Sequence, residues 1–312
     1  MKIKKLILLV VLCSGLANYL TAQQGIFPTK PWNATVKVVD ENGQPVADAT
    51  VSIFLTLPPL SFPDDNGKYK GKISGTTDVS GQFAATHDDR TGNLGFKIGK
   101  TGYYASHYSR TLRDPEENAN DRNISITLVL KKIGTPIPMG AKKIDSLKVP
   151  EFNKNIGYDL MVGDWVAPYG KGLSVDLFFS ETHTNLGSKY ILSVTFPNSG
   201  DGVQEFDAPL FVQSSPDGMS DLKSLHEAPI NGYQPTAFQT ESVNLNRNFY
   251  FRVRTKMDEN GHVVSACYGK IYGDLGQFIY YCNPIPNNRN IEFDPKENLI
   301  HGLRPNEGVN AP

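Results

Sequence analysis

The chain has 312 residues, which at about 150 residues per domain predicts two domains. Charged residues make up 20% of the sequence and aromatic residues 10%, a globular composition that excludes collagen-like, coiled-coil and wholly disordered chains. The formal net charge is −1 and becomes −4 without residues 1–22, which hold three lysines and no acid, so the sequence is not that of a generally basic nucleic-acid binder.

The N-terminus has the order of a secretory signal. Three lysines precede the apolar run LILLVVL (6–12), which is too short to span a bilayer, and the small residue Ala22 stands before Gln23. We therefore predict a signal peptide at 1–22, cleaved between Ala22 and Gln23. The mature chain is then secreted, periplasmic or at the cell surface, with no integral membrane segment. Lipidation of Cys13 is the alternative, although the residue before it is not small.

Residues 23–32 form a polar leader, and strand-like runs fill residues 33–132. The run ATVKVVD (34–40) alternates valine with polar residues, an Asn-Gly turn follows it, and ADATVSIFLTL (47–57) is β-branched. Further runs continue to NISITLVLKK at 123–132. Seven such runs with no helical period predict a β-sandwich.

Four short motifs occur in order along this block. They are Asp40, Gly43, Pro45, Ala49 and Val51; TDVSGQF (77–83); KTGY (100–103); and ITLVLK (126–131). In this order they resemble the carboxypeptidase-regulatory-like, or transthyretin-like, domain. The resemblance implies a seven-stranded, transthyretin-like sandwich and a non-catalytic module of secreted or surface-exposed bacterial proteins.

The composition changes at residues 133–150, where three prolines and a basic pair predict a linker or an ordered crossover strand. A second β-rich block follows at 151–295, which we expect to be an Ig-like or jelly-roll-like sandwich. It is similar to β-rich regions of uncharacterised secreted bacterial proteins. Its one helix candidate is SDLKSLHE (220–227), and 296–312 is expected to be a loose tail. The predicted fold class is therefore all-β, with two β-sandwich domains.

The sequence carries no motif for catalysis or cofactor binding. The six histidines show no metal-ligand spacing, and the sequence has neither a Gly-x-Ser-x-Gly elbow nor a phosphate-binding glycine loop. We therefore predict no catalytic, cofactor-binding or metal-binding residues and no cofactor. A pair of catalytic carboxylates could still meet in a folded β-domain, and sequence spacing does not reveal such a pair.

Three tyrosines of the last hairpin are candidates for ligand stacking. Side chains alternate between the two faces of a strand, which places Tyr268, Tyr272 and Tyr281 on one face. An exposed row of this kind could stack on sugar rings or contact a protein partner. The alternative is that the rings lie in the core or at its rim.

The same hairpin predicts a disulfide between Cys267 and Cys282, the only cysteines left after signal removal. Export favours oxidation, and a four-residue loop that sets Tyr272 opposite Gln277 also sets the two cysteines opposite each other. Directly opposite residues have Cα atoms about 4.5–5.5 Å apart, a distance that a disulfide accepts. The alternative is a pair of buried free thiols.

Two functions fit these observations. The first is an exported, non-enzymatic binding or structural module of the bacterial envelope whose partner is an extracellular glycan or an envelope protein, without nucleic acid. The second is a secreted hydrolase of extracellular polymer, with catalytic carboxylates in the second block. A cleft with two facing carboxylates would favour the hydrolase, and an exposed aromatic surface would favour binding. The sequence sets neither the ligand nor the oligomeric state.

Overall fold

A computed structural model describes residues 30–56, 71–89, 92–112, 122–183, 190–207, 219–240, 244 and 246–312. These residues contain no α-helix and form four β-sheets, so the all-β sandwich prediction is confirmed. The predicted signal peptide at 1–22 and a strand-like run at 208–215 lie outside the described residues. The segment 220–227, the helix candidate, is irregular after its first residue.

The strands of the described residues are β1 (Lys30–Asp40), β2 (Thr50–Thr56), β3 (Gly71–Thr76), β4 (Gln82–Asp89), β5 (Gly92–Gly99), β6 (Ser106–Leu112), β7 (Asn123–Leu130), β8 (Ile137–Ile144), β9 (Ile156–Asp159), β10 (Asp164–Trp165), β11 (Leu177–His183), β12 (Tyr190–Thr195), β13 (Gly202–Asp207), β14 (Met219–Ser220), β15 (Thr236–Thr240), β16 (Arg247–Met257), β17 (Val263–Asp274), β18 (Gln277–Asn283) and β19 (Phe293–Asn298).

The first sandwich packs a three-stranded sheet, β4-β1-β7, against a five-stranded sheet, β14-β6-β5-β2-β3. The two inner faces meet in a core of alternating apolar residues that includes Val36, Val51 and Leu128. Because strand side chains alternate, the polar neighbours of these residues point to solvent, as the sequence pattern predicts. Strand β14 comes from the second half of the chain and pairs with β6.

The second sandwich packs a six-stranded sheet, β13-β16-β17-β18-β8-β19, against a five-stranded sheet, β10-β9-β11-β12-β15. Its core contains Phe179, Phe249, Phe251 and Tyr280, all almost fully buried. The opposite face of the six-stranded sheet is also buried, under irregular segments that contribute Ala228 and residues near 291–293. This sheet is therefore covered on both sides.

The segment between the two halves, expected as a linker or an ordered crossover strand, contributes β8 to the six-stranded sheet. Strand β8 pairs antiparallel with β18 and parallel with β19, and its Met139 and Ala141 are fully buried. The segment 296–312, expected to be a loose tail, packs Ile300 and Val309 into the two cores of this sheet. Apolar residues at these positions explain why both segments are held against it.

Three turns of the sequence Asp-x-x-Gly are built in the same way. In each turn the aspartate Oδ1 accepts hydrogen bonds of 2.7–2.9 Å from the backbone amides two and four residues later. The glycine of each turn has a positive φ, 74° at Gly43, 73° at Gly81 and 79° at Gly261. The repeated DENG sequence at 40–43 and 258–261 is thus explained by two equivalent turns.

Gly81 and Gly43 give a matched test of this packing. A Cβ at Gly81 would lie 2.4 Å from the carbonyl oxygen of Val38, whereas a Cβ at Gly43 meets open space. Both Gly→Ala substitutions carry the strain of a left-handed φ, about 1–2 kcal/mol. We expect Gly81→Ala to reduce the free energy of unfolding by about 1–3 kcal/mol more than Gly43→Ala, measured by urea denaturation. Equal losses would contradict the packing described for Gly81.

Candidate functional site

The predicted tyrosine row lies on one face of the sheet, but that face is not exposed. Tyr281 pairs with Lys270, which lies between Tyr268 and Tyr272 on the same face of β17. Tyr268 and Tyr272 are each 6% exposed and Tyr281 is 1% exposed, because irregular segments cover this face. The rings therefore belong to the core, and the stacking role that we assigned to them is corrected.

Lys270 lies within this buried row and is fully inaccessible to solvent. Its Nζ lies 5.0 Å from the ring centre of Tyr272 and 4.7 Å from that of Tyr281, and it contacts Ser224 Oγ at 3.3 Å. Burial lowers the pKa of Lys270 well below its ordinary value, because the charged amine loses its water. No carboxylate of the described residues forms a direct ion pair with it.

The predicted pairing of Cys267 with Cys282 is wrong by two residues. Cys282 lies opposite Gly269, because Asp274 pairs with Gln277 and the hairpin loop is only two residues long. Asp274 extends the strand because its buried carboxylate is held by Arg247 at 3.3 Å. Diagonal neighbours have Cα atoms about 7–8 Å apart, beyond disulfide range. Both cysteines are free and buried, as in the alternative interpretation.

Two carboxylates of the second sandwich, Asp159 and Asp176, face one arginine. Arg254 binds Asp176 through Nε at 2.6 Å and Nη2 at 3.0 Å, and lies 3.6 Å from Asp159. The two oxygens of Asp159 accept four backbone amide hydrogen bonds, and Asp176 also accepts one from Leu160. Burial raises the pKa of Asp176, although Arg254 opposes this shift. Every oxygen of the pair thus accepts a hydrogen bond, and three of the four accept from backbone amides of the segment 160–175.

A polar junction joins the two sandwiches. His226 Nε2 lies 3.0 Å from Glu41 of the first sandwich, and its Nδ1 lies 2.7 Å from the buried carboxylate of Glu292. Tyr104 and the amide of Gly134 also donate hydrogen bonds to Glu292. Burial lowers the pKa of His226, but the two carboxylates outweigh this and raise it overall. Next to this junction lies an open cavity of about 340 Å³.

A second cavity, of about 410 Å³, lies beside the loop at 160–175. It is lined by residues 142–148, 158, 163–165, 304 and 306–307, and we call it the Trp165 cleft. Strand β8 and the turn after it form one wall, strand β10 forms the second, and the C-terminal segment forms the third. The cleft exists because β8 is a strand of the six-stranded sheet and the C-terminal segment packs against that sheet.

The indole of Trp165 is fixed at the edge of this cleft. Its ring meets Tyr158 at 5.2 Å and Phe179 at 5.7 Å, in edge-to-face geometry in both cases. The ring is half-buried, and its indole N–H has no hydrogen-bond partner among the residues described. The arrangement leaves a positioned aromatic ring and a donor without a protein partner at the border of an open cavity with both polar and apolar walls.

Sequence reasoning missed both Trp165 and His226. Trp165 is the only tryptophan of the second block and lies in the segment 160–175, which holds three glycines and a proline, a composition that favours exposed binding loops. That signal was available, but the tyrosine-rich hairpin was the more conspicuous aromatic feature. His226 and Glu292 are distant in sequence and come together only through the fold.

Among the residues described, no helix could span a membrane. No group of three or more His, Cys, Asp or Glu side chains in the same part of the chain is arranged to hold a metal ion.

No protein-family model matches the chain, and no curated protein matches it. Among solved structures, 3-chlorocatechol 1,2-dioxygenase from Rhodococcus opacus 1CP is 17% identical with a TM-score of 0.25, covering 34% of this chain and 62% of its own. Catechol 1,2-dioxygenase from Pseudomonas arvilla C-1 is 15% identical with a TM-score of 0.27, covering 36% and 55%. A mutant of the shaft pilin SpaA from Lactobacillus rhamnosus GG is 13% identical with a TM-score of 0.25, covering 62% and 97%.

These likenesses are distant and concern β-rich architecture alone. The chain spans less than two thirds of the length of the dioxygenases that it matches. Neither dioxygenase chemistry nor pilus assembly follows from similarity at this level. The resemblance of residues 38–131 to the transthyretin-like module has no matching family model behind it and stays a resemblance of motifs.

Substitution of the buried lysine tests the electrostatics of the covered face. Since the native pKa of Lys270 lies below the unfolded value of about 10.4, the unfolded chain binds more protons between these two values. Stability therefore rises with pH across that interval. We expect Lys270→Met to raise the free energy of unfolding at neutral pH by about 1–4 kcal/mol and to flatten its rise with pH.

Urea denaturation at pH 7 and pH 9.5 measures both effects. Lys256→Met, at an exposed position of the same sheet, is the matched control and should change stability by no more than about 0.5 kcal/mol. A less stable Lys270→Met protein with the pH slope of the unsubstituted chain would contradict the lowered pKa of Lys270.

Proposed function

We propose that this chain is an exported, non-enzymatic protein of the bacterial envelope that binds a surface glycan through the Trp165 cleft. The observation that carries the proposal is the indole of Trp165, held in place by two aromatic neighbours at the edge of an open cavity. Sugar rings stack on such surfaces through their C–H faces, and the free indole N–H can donate to a hydroxyl.

Export is supported by residues 1–22, whose basic start and short apolar run are typical of a secretory signal. The all-β architecture suits an extracellular module, and two free cysteines buried in its core are shielded from oxidants. Burial also raises the pKa of both thiols, which keeps them in the unreactive protonated form.

The hydrolase alternative receives little support from the carboxylates of the second sandwich. Asp159 and Asp176 are the facing pair that a hydrolase would need, but their oxygens are occupied by backbone amides and by Arg254. A general acid or base needs a free oxygen within reach of substrate. We therefore assign these side chains to loop structure.

Glycan binding can be followed through Trp165 itself, because Trp32, the other tryptophan, is 1% exposed. Immobilised cellulose, chitin, mannan, galactan, alginate and peptidoglycan serve as probes, with soluble fragments for fluorescence titration. We expect at least one probe to retain the chain and to shift its tryptophan emission. Trp165→Ala should weaken retention by about fivefold or more, since stacking contributes about 1 kcal/mol.

Phe152→Ala is the matched control, because Phe152 is an exposed aromatic residue outside the cleft. This variant should bind like the unsubstituted chain. The proposal fails if none of the probes is retained, or if Trp165→Ala, shown to be folded by its urea transition, binds as well as Phe152→Ala. Release of reducing sugar from a retained probe would instead support the hydrolase.

A further inference from the structure

Cationic side chains outnumber carboxylates in the lining of the Trp165 cleft. Four cationic side chains line it, and three carboxylates oppose them, from Asp145, Asp164 and Glu307. The cations are Lys142, Lys143, Lys148 and Arg304. The whole chain has a formal charge of −1, so an excess of positive charge in this cavity is a local feature.

The carboxylates of the cleft are already engaged by protein groups. Glu307 lies 3.2 Å from Lys142, and Asp145 lies 2.8 Å from Lys143. Asp164 accepts backbone hydrogen bonds from Trp165 and Lys171 at its two oxygens. Two of the three acids thus have a lysine partner closer than any contact with the remaining two cations, and the third accepts backbone hydrogen bonds.

Those two cations are Lys148 and Arg304. Lys148 is exposed and has no ion-pair partner among the residues that the structure describes. The side chain of Arg304 is 81% exposed and reaches Glu307 only at 4.0 Å, the limit of an ion pair. Both line the same cavity as Trp165, so one exposed lysine, one weakly paired arginine and a half-buried indole border one space.

We propose that the ligand of this cleft is an acidic saccharide, in which a uronic acid ring stacks on Trp165 and its carboxylate binds Lys148 and Arg304. This inference rests on the proposed glycan-binding function and narrows its substrate class. An arginine donates two parallel hydrogen bonds to a carboxylate, and a flexible lysine adds a point charge. Neutral sugars would use the indole and leave both cations unpaired.

The test compares polysaccharides that share a sugar ring and differ in the carboxylate. The pairs are polygalacturonate with galactan, alginate with mannan, and glucuronan with β-glucan. Each polysaccharide is cast in a native gel, through which the full exported chain is run. We expect one acidic member to retard the chain about tenfold more strongly than its neutral partner at low salt. The difference should shrink at about 0.5 M salt, because exposed charges are screened.

Variants separate the charge from the stacking surface. Lys148→Gln with Arg304→Gln should bring the acidic ligand to the affinity of its neutral partner, whereas Lys256→Gln, an exposed change outside the cleft, should have no effect. Equal retardation by acidic and neutral members overturns the inference and leaves glycan binding intact. If none of the six polysaccharides retards the chain, both this inference and the proposed glycan binding are overturned. A poly-glutamate peptide is added as a competitor at the same concentration of carboxylates as the bound saccharide. If the peptide displaces the saccharide from the unsubstituted chain, the cleft selects negative charge alone, and the saccharide assignment is overturned.

Discussion

The backbone pairing of β8 with β18 is the constraint on which the rest of the second half depends. Strand β8 lies inside the six-stranded sheet, with Gly140 opposite Cys282 and Ile144 opposite Phe278. The chain that leaves the first sandwich is therefore part of the second one. Because the strand is fixed, Gly134 before it reaches Glu292 at the junction, and Lys142 and Lys143 near its end line the Trp165 cleft.

Coverage of the six-stranded sheet on both faces has a chemical consequence. A sheet with one wet face accepts polar residues there, whereas a sheet buried on both faces must pair or neutralise them. Tyr272 and Tyr250 satisfy this condition through hydrogen bonds with the amides of Ser224 and Leu225. Lys270 has no carboxylate partner among the residues described, and burial lowers its pKa well below the ordinary value.

Much of the local structure follows from the sequence alone. The β-branched alternation of β1 and β2 and the Asp-x-x-Gly turns are determined by neighbours a few residues apart, and both can be read directly from the sequence. The shared face of Tyr268, Tyr272 and Tyr281 followed from the same alternation. These features depend on backbone geometry, which distant contacts do not override here.

The errors concern distant contacts. The observed hairpin register differs from the predicted one by two residues. Asp274 forms an ion pair with Arg247 on a neighbouring strand, and this ion pair extends the hairpin into the predicted loop. The tyrosine row was buried by irregular segments that lie elsewhere in the chain, among them the one that contains Ala228. The Trp165 cleft draws its walls from three separate segments, so no local pattern could have assembled it. The sequence does not show which segment covers which face of a sheet.

Hydrogen exchange of the segment 137–144 tests the central claim most directly, because it asks whether this stretch is a strand of the sheet or a linker. Amides in a central strand exchange only through large openings, whereas linker amides exchange freely. We expect peptides covering 137–144 to exchange as slowly as those from β18, and on the order of a hundredfold more slowly than the turn at 258–262. Exchange of 137–144 at the rate of that turn would contradict the integration of β8 and the walls of the cleft that depend on it.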